Sequence, residues 1–270
     1  MHHFRDIDLS DLKVLLCDAD GNLFPSEEPA FEASVGVTNR FLQRFGLAGD
    51  RTAEGLRNGT TGKNFRSTAM DLVIAGGVPV ERALAAGRPD AVIADDEELA
   101  GGRALCAAEL EEWVARERDA VTDHLGSALA PDPEVSGPLR VLGSRFRLIA
   151  VSSSATKRLA ACFTAAGLDA LIPPEVRFSA EDSLPRPTSK PDPAIYREAQ
   201  RVMGLRCEEG LAIEDSVPGA LSAAGAGFPT VGNVMFVPPA ERADRTAQLR
   251  AAGACAVVES WWELQDLLVR

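Results

Sequence analysis

LLCDADGNLF, residues Leu15 to Phe24, is the stretch around which the rest of the chain is organised. The apolar run DLKVLLC stops at two carboxylates separated by one residue, Asp18 and Asp20, followed by Gly21 and Asn22. Consecutive apolar residues without polar alternation suit a short strand covered on both faces. The end of such a strand is where open α/β sheets place their ligand crevices. Two adjacent carboxylates repel, so the pair calls for a cation or a shared proton.

Around that stretch, the composition narrows the classes of function. With 270 residues and 46% hydrophobic composition, the chain can bury one large core, or a core plus a smaller module. A net charge of −12 argues against a nucleic-acid partner, because phosphate backbones require clustered Lys and Arg. The basic residues are almost all Arg; the lysines are Lys13, Lys63, Lys157 and Lys190, so each bears individual inspection. Cys17, Cys106, Cys162, Cys207 and Cys255 are scattered and form no CxxC pair, which fits reduced thiols rather than a disulfide framework or a zinc site. His2, His3 and His124 offer a nucleophilic cysteine poor partners, and His2 and His3 stand at the terminus, where an untethered or tag-derived segment is expected. No apolar run approaches the roughly 20 residues of a membrane span, and no secretory apolar region opens the chain. A soluble cytoplasmic protein with no membrane partner is the expectation.

The segments then fall into two styles. FPSEEPAFEASVGVTNRFLQRFGL starts with a Pro-containing turn and becomes helical, with Phe31, Val35, Val37, Phe41, Leu42 and Phe45 near helical spacing and Gly46 as a stop. A glycine-rich loop, GLRNGTTGKNFR, leads to another helix, and residues 97–129 are Ala/Glu/Arg/Leu-rich, with Leu105, Leu110, Trp113, Val114 and Val121 expected inside. APDPEVSGP breaks that pattern, so residues 24–130 read as almost wholly helical. Beyond it, strand and helix alternate: RFRLIAVSSS, ATKRLAACFTAAGL, VRFS, KPDPAIYREAQRVMGL, GLAIEDS, PGALSAAGAG, FPTVG, a helix over 240–251, ACAVVES and WWELQDLL. Such alternation predicts a Rossmann-like α/β fold, a parallel sheet with helices on both faces. The expected division is a catalytic core of residues 1–23 and 131–270, interrupted by an inserted α-helical cap domain of residues 24–130.

Three strand ends carry polar groups: Asp18 and Asp20, Ser152 to Ser154, and Glu214 with Asp215. In a parallel sheet all three lie along one edge, and Lys190 in SKPDP arrives between the second and third, at the start of a helix. A nucleophilic carboxylate, a second carboxylate, hydroxyls, a cation and an acidic pair are the parts of phosphoryl transfer. An all-oxygen donor set suits Mg²⁺. Ser152 is expected both to cap the following helix and to bind phosphate, and Ser154 to act as a cap. Trp113, Trp261 and Trp262 read as packing residues.

The four segments DADGN, SSS, SKPDP and IEDSVPGA, each at a strand end or helix start and in this order, resemble the haloacid dehalogenase superfamily. The resemblance spans the chain outside the insertion. It implies that Asp18 attacks phosphorus to form an aspartyl-phosphate and that Asp20 protonates the leaving oxygen and then activates water. It further implies that Ser152 and Lys190, with Ser153, hold the phosphoryl oxygens. Mg²⁺ would be bound by Asp18, the backbone carbonyl of Asp20, and Asp215, with Glu214 close by.

The position of the insertion is similar to the helical cap of the branch that includes β-phosphoglucomutase and phosphoglycolate phosphatase. That likeness implies that Lys63, Asn64 and Arg66 in GTTGKNFR contact substrate, and that the substrate is a small phosphorylated metabolite such as a sugar phosphate. Asp20 is an acid where the dehalogenases and phosphonoacetaldehyde hydrolase lack one, which disfavours C–halogen and C–P cleavage. A phosphomutase of the β-phosphoglucomutase type is the alternative, but residues 28–32 lack the histidine it would call for. A non-catalytic binding protein is disfavoured by the intact set of Asp18, Asp20, Ser152, Lys190 and Asp215. Asn22 departs from the Thr or Val usual in the family; an Asn in a turn is expected to satisfy local backbone groups. Monomer and homodimer both remain open from the sequence.

Overall fold

The computed structural model describes residues 2–3, 10–60 and 64–269, which divide into two compact units, Met1–Ser26 with Gly126–Arg270, and Glu27–Leu125. The first unit is built on a seven-stranded sheet. Its strands are β1 (His2–His3), β2 (Val14–Cys17), β3 (Arg147–Ser152), β4 (Arg177–Ser179), β5 (Gly210–Glu214), β6 (Thr230–Asn233) and β7 (Ala256–Val258). Their order across the sheet is β1-β7-β6-β5-β2-β3-β4. The six strands from β2 to β7 run parallel; β1 joins antiparallel, with His2 opposite Val257. The terminal histidine pair is therefore an edge strand rather than an untethered leader, because backbone pairing needs no side-chain signal.

All four residues of β2 are buried, as its uninterrupted apolar sequence requires of a strand covered on both faces. Leu15 is flanked by Leu148 of β3 on one side and Leu211 of β5 on the other. The chain leaves β2 toward β3 and β4, then returns to β5 on the opposite side. This reversal makes the C-terminal edge of β2 and β5 a topological switch point, where open sheets leave a crevice between diverging connections.

The helices of the second unit are α1 (Glu27–Arg44), α2 (Ala53–Thr60), α3 (Phe65–Ala75), α4 (Asp96–Ala100) and most of α5 (Ala107–Ala128). Val37, Phe41 and Leu42 of α1 bury against Met70 and Val73 of α3 and Leu110 and Trp113 of α5. The expectation of an almost wholly helical insertion needs correcting between α3 and α5, on both sides of the short α4. There Val80 makes bridges to both Ile93 and Leu105, so Leu105 is buried from extended backbone, not from a helix. Val80 and Leu105 belong to the buried cluster formed with α1, α3 and α5, and that packing decides the pairing.

The helices of the first unit are α6 (Pro133–Gly143), α7 (Thr156–Ala165), α8 (Ala194–Met203), α9 (Val217–Gly225), α10 (Arg242–Ala251) and α11 (Trp261–Leu268). The expected break falls at residues 129–132, between α5 and α6, but it is shorter than APDPEVSGP implies, because α6 already begins at Pro133. Pro133 occupies the first turn, where no N–H partner is needed, and Asp132 caps by accepting from the Glu134 N–H at 2.8 Å. Pro138 lies inside the helix and would cost about 3 kcal/mol there. Burial of Val135, Leu139 and Leu142, at about 1.5–3 kcal/mol each, outweighs it. Among the described residues no helix is long and apolar enough to cross a membrane, and the five cysteines are free thiols.

Candidate active site

Asp18 and Asp20 follow β2, Ser152 ends β3, and Glu214 ends β5, so their placement along one sheet edge follows from strand register. Gly21 turns the chain back at φ 77°, bringing its N–H onto the Phe24 carbonyl at 3.0 Å. Both aspartates are largely shielded from water, yet their surroundings differ. Asp18 faces Lys190, whose ammonium also reaches Glu214 Oε1 and the Val151 carbonyl, each at 2.7 Å. Glu214 Oε1 further accepts the hydroxyl of Tyr196, and the Lys190 ammonium lies 5.4 Å from that ring's centre. Lys190 sits in the turn before α8 rather than at the helix start. It is locked there by its own N–H, which donates to Ser153 Oγ at 3.1 Å.

Asp20 turns the other way. Its Oδ1 accepts from Ser26 at 2.5 Å and Arg158 at 3.0 Å, and its Oδ2 from Ser154 at 2.6 Å. Burial pushes Asp18 up to about 7, against the pull of Lys190, with Glu214 adding to the rise. Burial also opposes ionisation of Asp20, but the Arg158 guanidinium and the hydrogen bonds from Ser154 and Ser26 overcome it and hold that carboxyl below its usual range. One residue of separation thus yields two carboxylates with opposite shifts, the pattern by which paired acids acquire different tasks.

Neither Ser152 nor Ser154 caps the following helix as expected. Ser154 stands one residue before the cap position of α7, and its hydroxyl donates to Asp20 Oδ2. Helix α7 begins at Thr156 after Ala155, which offers no side-chain cap, and Asp182 accepts the Thr156 N–H at 2.6 Å. Ser152 Oγ accepts the Ser154 N–H at 3.0 Å, which shapes the loop rather than the helix terminus.

The sequence model for haloacid dehalogenase-like hydrolases matches residues 12–227, most of the chain. The chain belongs to that family. No curated protein matches the hydrolase. Among solved structures, a family hydrolase from Deinococcus radiodurans with bound phosphate and sodium is 22% identical, with TM-score 0.61, covering 97% of this chain and 96% of that one. A candidate β-phosphoglucomutase from Thermotoga maritima is 21% identical at TM-score 0.64, covering 96% and 99%. CbbY from Rhodobacter sphaeroides, as a mutant in complex with xylulose-(1,5)bisphosphate, is 18% identical at TM-score 0.57, covering 94% and 96%. At these identities the likenesses show the shared fold.

The hydrolase also presents a cluster suited to a divalent cation. Asp18, Glu214 and Asp215, all buried, each offer a carboxylate oxygen, and these lie within 4.8 Å of one another. Glu214 is fully buried, and its Oε2 has no hydrogen-bond partner among the described residues. A buried, unpartnered carboxylate oxygen is costly unless something positive meets it, and an all-carboxylate set matches Mg²⁺. The side chain of Asp20 is outside this cluster, turned to Ser26, Ser154 and Arg158.

Two glycines make room for these acids. A Cβ on Gly219 would stand 1.7 Å from Glu214 Oε2, and one on Gly21 would stand 2.3 Å from Asp215 Oδ2. Gly219→Ala is accordingly expected to lower stability by about 3 kcal/mol, the upper range for overpacking. It should also lower metal affinity, as measured by thermal unfolding and calorimetric titration; a variant with wild-type values in both would remove Gly219 from the cradle.

The proton balance gives a second expectation. Asp18 binds its proton more tightly folded than unfolded, so without metal its contribution to stability falls as pH rises from about 4 through about 7. Mg²⁺ requires the ionised form. The rise in Tm on adding Mg²⁺ should therefore be larger at about pH 8 than at about pH 5.5, and an equal rise at both would disconnect the metal from Asp18.

Of the residues expected to contact substrate from the insertion, Lys63 lies outside the described residues. Asn64 caps α3 by accepting the Ser67 N–H at 2.9 Å, and Arg66 makes a two-pronged ion pair with Glu111. Sequence reasoning passed over Ser26, Arg158, Tyr196 and Asn233. Tyr196 had a signal, being the only tyrosine of the chain and six residues after Lys190. Arg158 had none, because its reach to Asp20 depends on where α7 docks.

Proposed function

We propose that the hydrolase is a Mg²⁺-dependent phosphatase acting on a small phosphorylated metabolite such as a sugar phosphate, through an aspartyl-phosphate on Asp18. The observation that carries this reading is the division of labour between Asp18, set among Lys190 and the acidic cluster, and Asp20, set among hydroxyls and Arg158. Bound Mg²⁺, held by Asp18, Glu214 and Asp215, would offset phosphoryl and carboxylate charge and favour the ionised Asp18.

An Asp18 carboxylate oxygen forms a bond to phosphorus as the bond from phosphorus to the ester oxygen breaks, and that oxygen takes a proton from Asp20. Asp20 then takes a proton from water, the hydroxide attacks phosphorus, and the aspartyl bond breaks to return the Asp18 carboxylate and release phosphate. Lys190 neutralises charge beside Asp18 throughout. Asp20 at rest is ionised, which suits the second half. Arg158 makes the largest contribution to that ionised form after burial is overcome. An incoming phosphate offers Arg158 a second anion, and movement of Arg158 toward it would raise the proton affinity of Asp20 for the first half.

In this reading the unit Glu27–Leu125 serves as a cap, and Lys63, with Asn64 and Arg66, supplies selectivity. The sugar bisphosphate held by CbbY supports the substrate class. The cytoplasm is the proposed location. The test is phosphate release across a panel of phosphorylated metabolites with Mg²⁺, stopped by EDTA. Inactivity across the panel with metal present would overturn the reading. Conversion of a hexose 1-phosphate to its 6-phosphate without net phosphate release would replace it with the mutase.

A further inference from the structure

Asn22 is fully buried, and its carboxamide does more than close a local turn. Its Nδ2 donates to the carbonyl of Asp18 at 2.9 Å and to the carbonyl of Ile213 at 3.2 Å, a residue 191 positions away in sequence. The Ile213 carbonyl also accepts the Asp18 N–H at 2.9 Å. Asn22 Oδ1 accepts from Asn233 Nδ2 at 2.9 Å, and Asn233 Oδ1 accepts the Met235 N–H at 3.0 Å. The Asn22 carbonyl takes the indole N–H of Trp261 at 3.0 Å.

These contacts determine the orientation of both amides. Two carbonyls face Asn22 Nδ2 and can only accept, so that atom must be the nitrogen and its partner on Asn233 must be a donor. Both N–H groups of the Asn22 amide are used. The side chain therefore ties together three neighbouring strand ends: β2 through Asp18, β5 through Ile213, and β6 through Asn233, its last residue. The parallel ladder between β2 and β5 ends at this point. Immediately beyond it stand the carboxylates of Asp18, Glu214 and Asp215, which repel one another and would otherwise spread.

We infer that Asn22 is a positioning residue that, with Asn233 as its required partner, holds the ends of β2 and β5 at the spacing at which Asp18, Glu214 and Asp215 share one cation. The tie acts behind the carboxylates, through the main-chain carbonyls of Asp18 and Ile213. Leu matches the heavy-atom branching of Asn, though bulkier, and cannot donate. Asn22→Leu therefore removes the side-chain donor from the Asp18 carbonyl, leaves the Ile213 carbonyl with the Asp18 N–H alone, and strips the Asn233 amide of its acceptor. Removing both amides in Asn22→Leu/Asn233→Leu eliminates the orphaned carboxamide and leaves the strand ends untied; it also releases the N–H of Met235, a half-buried residue where water can replace the lost acceptor.

This inference rests on the proposed function for the identity of the cation. The experiment compares the wild type, Asn22→Leu, Asn233→Leu and the double variant by thermal unfolding, by calorimetric titration with MgCl₂ alone, and by kcat and KM for p-nitrophenyl phosphate. Asn22→Leu is expected to weaken Mg²⁺ binding by about tenfold or more and to lower kcat with little change in KM, measured well below its own Tm. The double variant should regain thermal stability relative to Asn22→Leu without regaining Mg²⁺ affinity, a separation that a purely structural role does not produce. Mg²⁺ affinity and kcat within about twofold of wild type in folded Asn22→Leu, beside an active wild type, overturn this inference alone. A wild type that neither binds Mg²⁺ nor releases phosphate overturns the proposed function, and this inference with it.

Discussion

Asp18→Asn is expected to abolish phosphate release, with a loss of about 10⁴-fold or more in kcat, because removal of a nucleophile eliminates the covalent route rather than weakening it. The fold should survive the change. Burial already disfavours the ionised form of Asp18, so a neutral amide of the same shape removes a desolvation cost, while Lys190 keeps Glu214 Oε1 and the Val151 carbonyl. Asp20→Asn should behave differently. With p-nitrophenyl phosphate, whose leaving group departs as an anion without protonation, the first half can proceed and the second stalls for want of a base. The expected result is one equivalent of nitrophenolate released in a burst, a phosphorylated protein detected by intact mass, and a steady state reduced about 10²–10⁴-fold. Full activity in Asp18→Asn, or unchanged steady-state turnover in Asp20→Asn, would overturn the assignment of roles.

Lys190→Met is expected to be the most destabilising single change at the site. The Lys190 side chain is 5% exposed, against 9% for Asp18 and 0% for Glu214, so its removal leaves two buried carboxylates facing each other. Loss of one partner from a buried ionic cluster costs about 3–5 kcal/mol, which for a chain of this size is a drop of about 10 °C in Tm. Adding Glu214→Gln to Lys190→Met should recover part of that drop by removing one of the opposed charges, and saturating Mg²⁺ should recover part of it by supplying another cation. A Tm within about 2 °C of wild type would show that water, and not Lys190, shields the cluster.

These two expectations rest on residues that could be named from the chain alone. Asp18, Asp20, Ser152, Lys190, Glu214 and Asp215 each stand where an apolar run ends or a helix is about to begin, and a strand's end is a local property of the sequence. The parallel sheet was legible for the same reason, since β2, β3 and β5 are apolar runs of the length buried strands take. Helix α6 was not legible, because two prolines imitate a break and only burial of Val135, Leu139 and Leu142 outweighs them. The extended backbone around Val80 was equally hidden, since its pairing with Ile93 and Leu105 is set by tertiary contact.

The same boundary runs through the stretch Leu15 to Phe24. Residue type and spacing are enough to require that a buried strand end there in two carboxylates needing a cation and separate partners, because burial and charge repulsion depend on nothing more. Which partners those are was set by the packing of the sheet: Lys190, shared with Glu214, for Asp18; Ser26, Ser154 and Arg158 for Asp20; and Ile213 and Asn233 for Asn22. Hydrogen bonds and ion pairs act over about 3 Å, and residues as far apart as 22 and 233 come within that range only because the sheet places β6, which ends in Asn233, one strand away from β2, which Asn22 follows, with β5 between them.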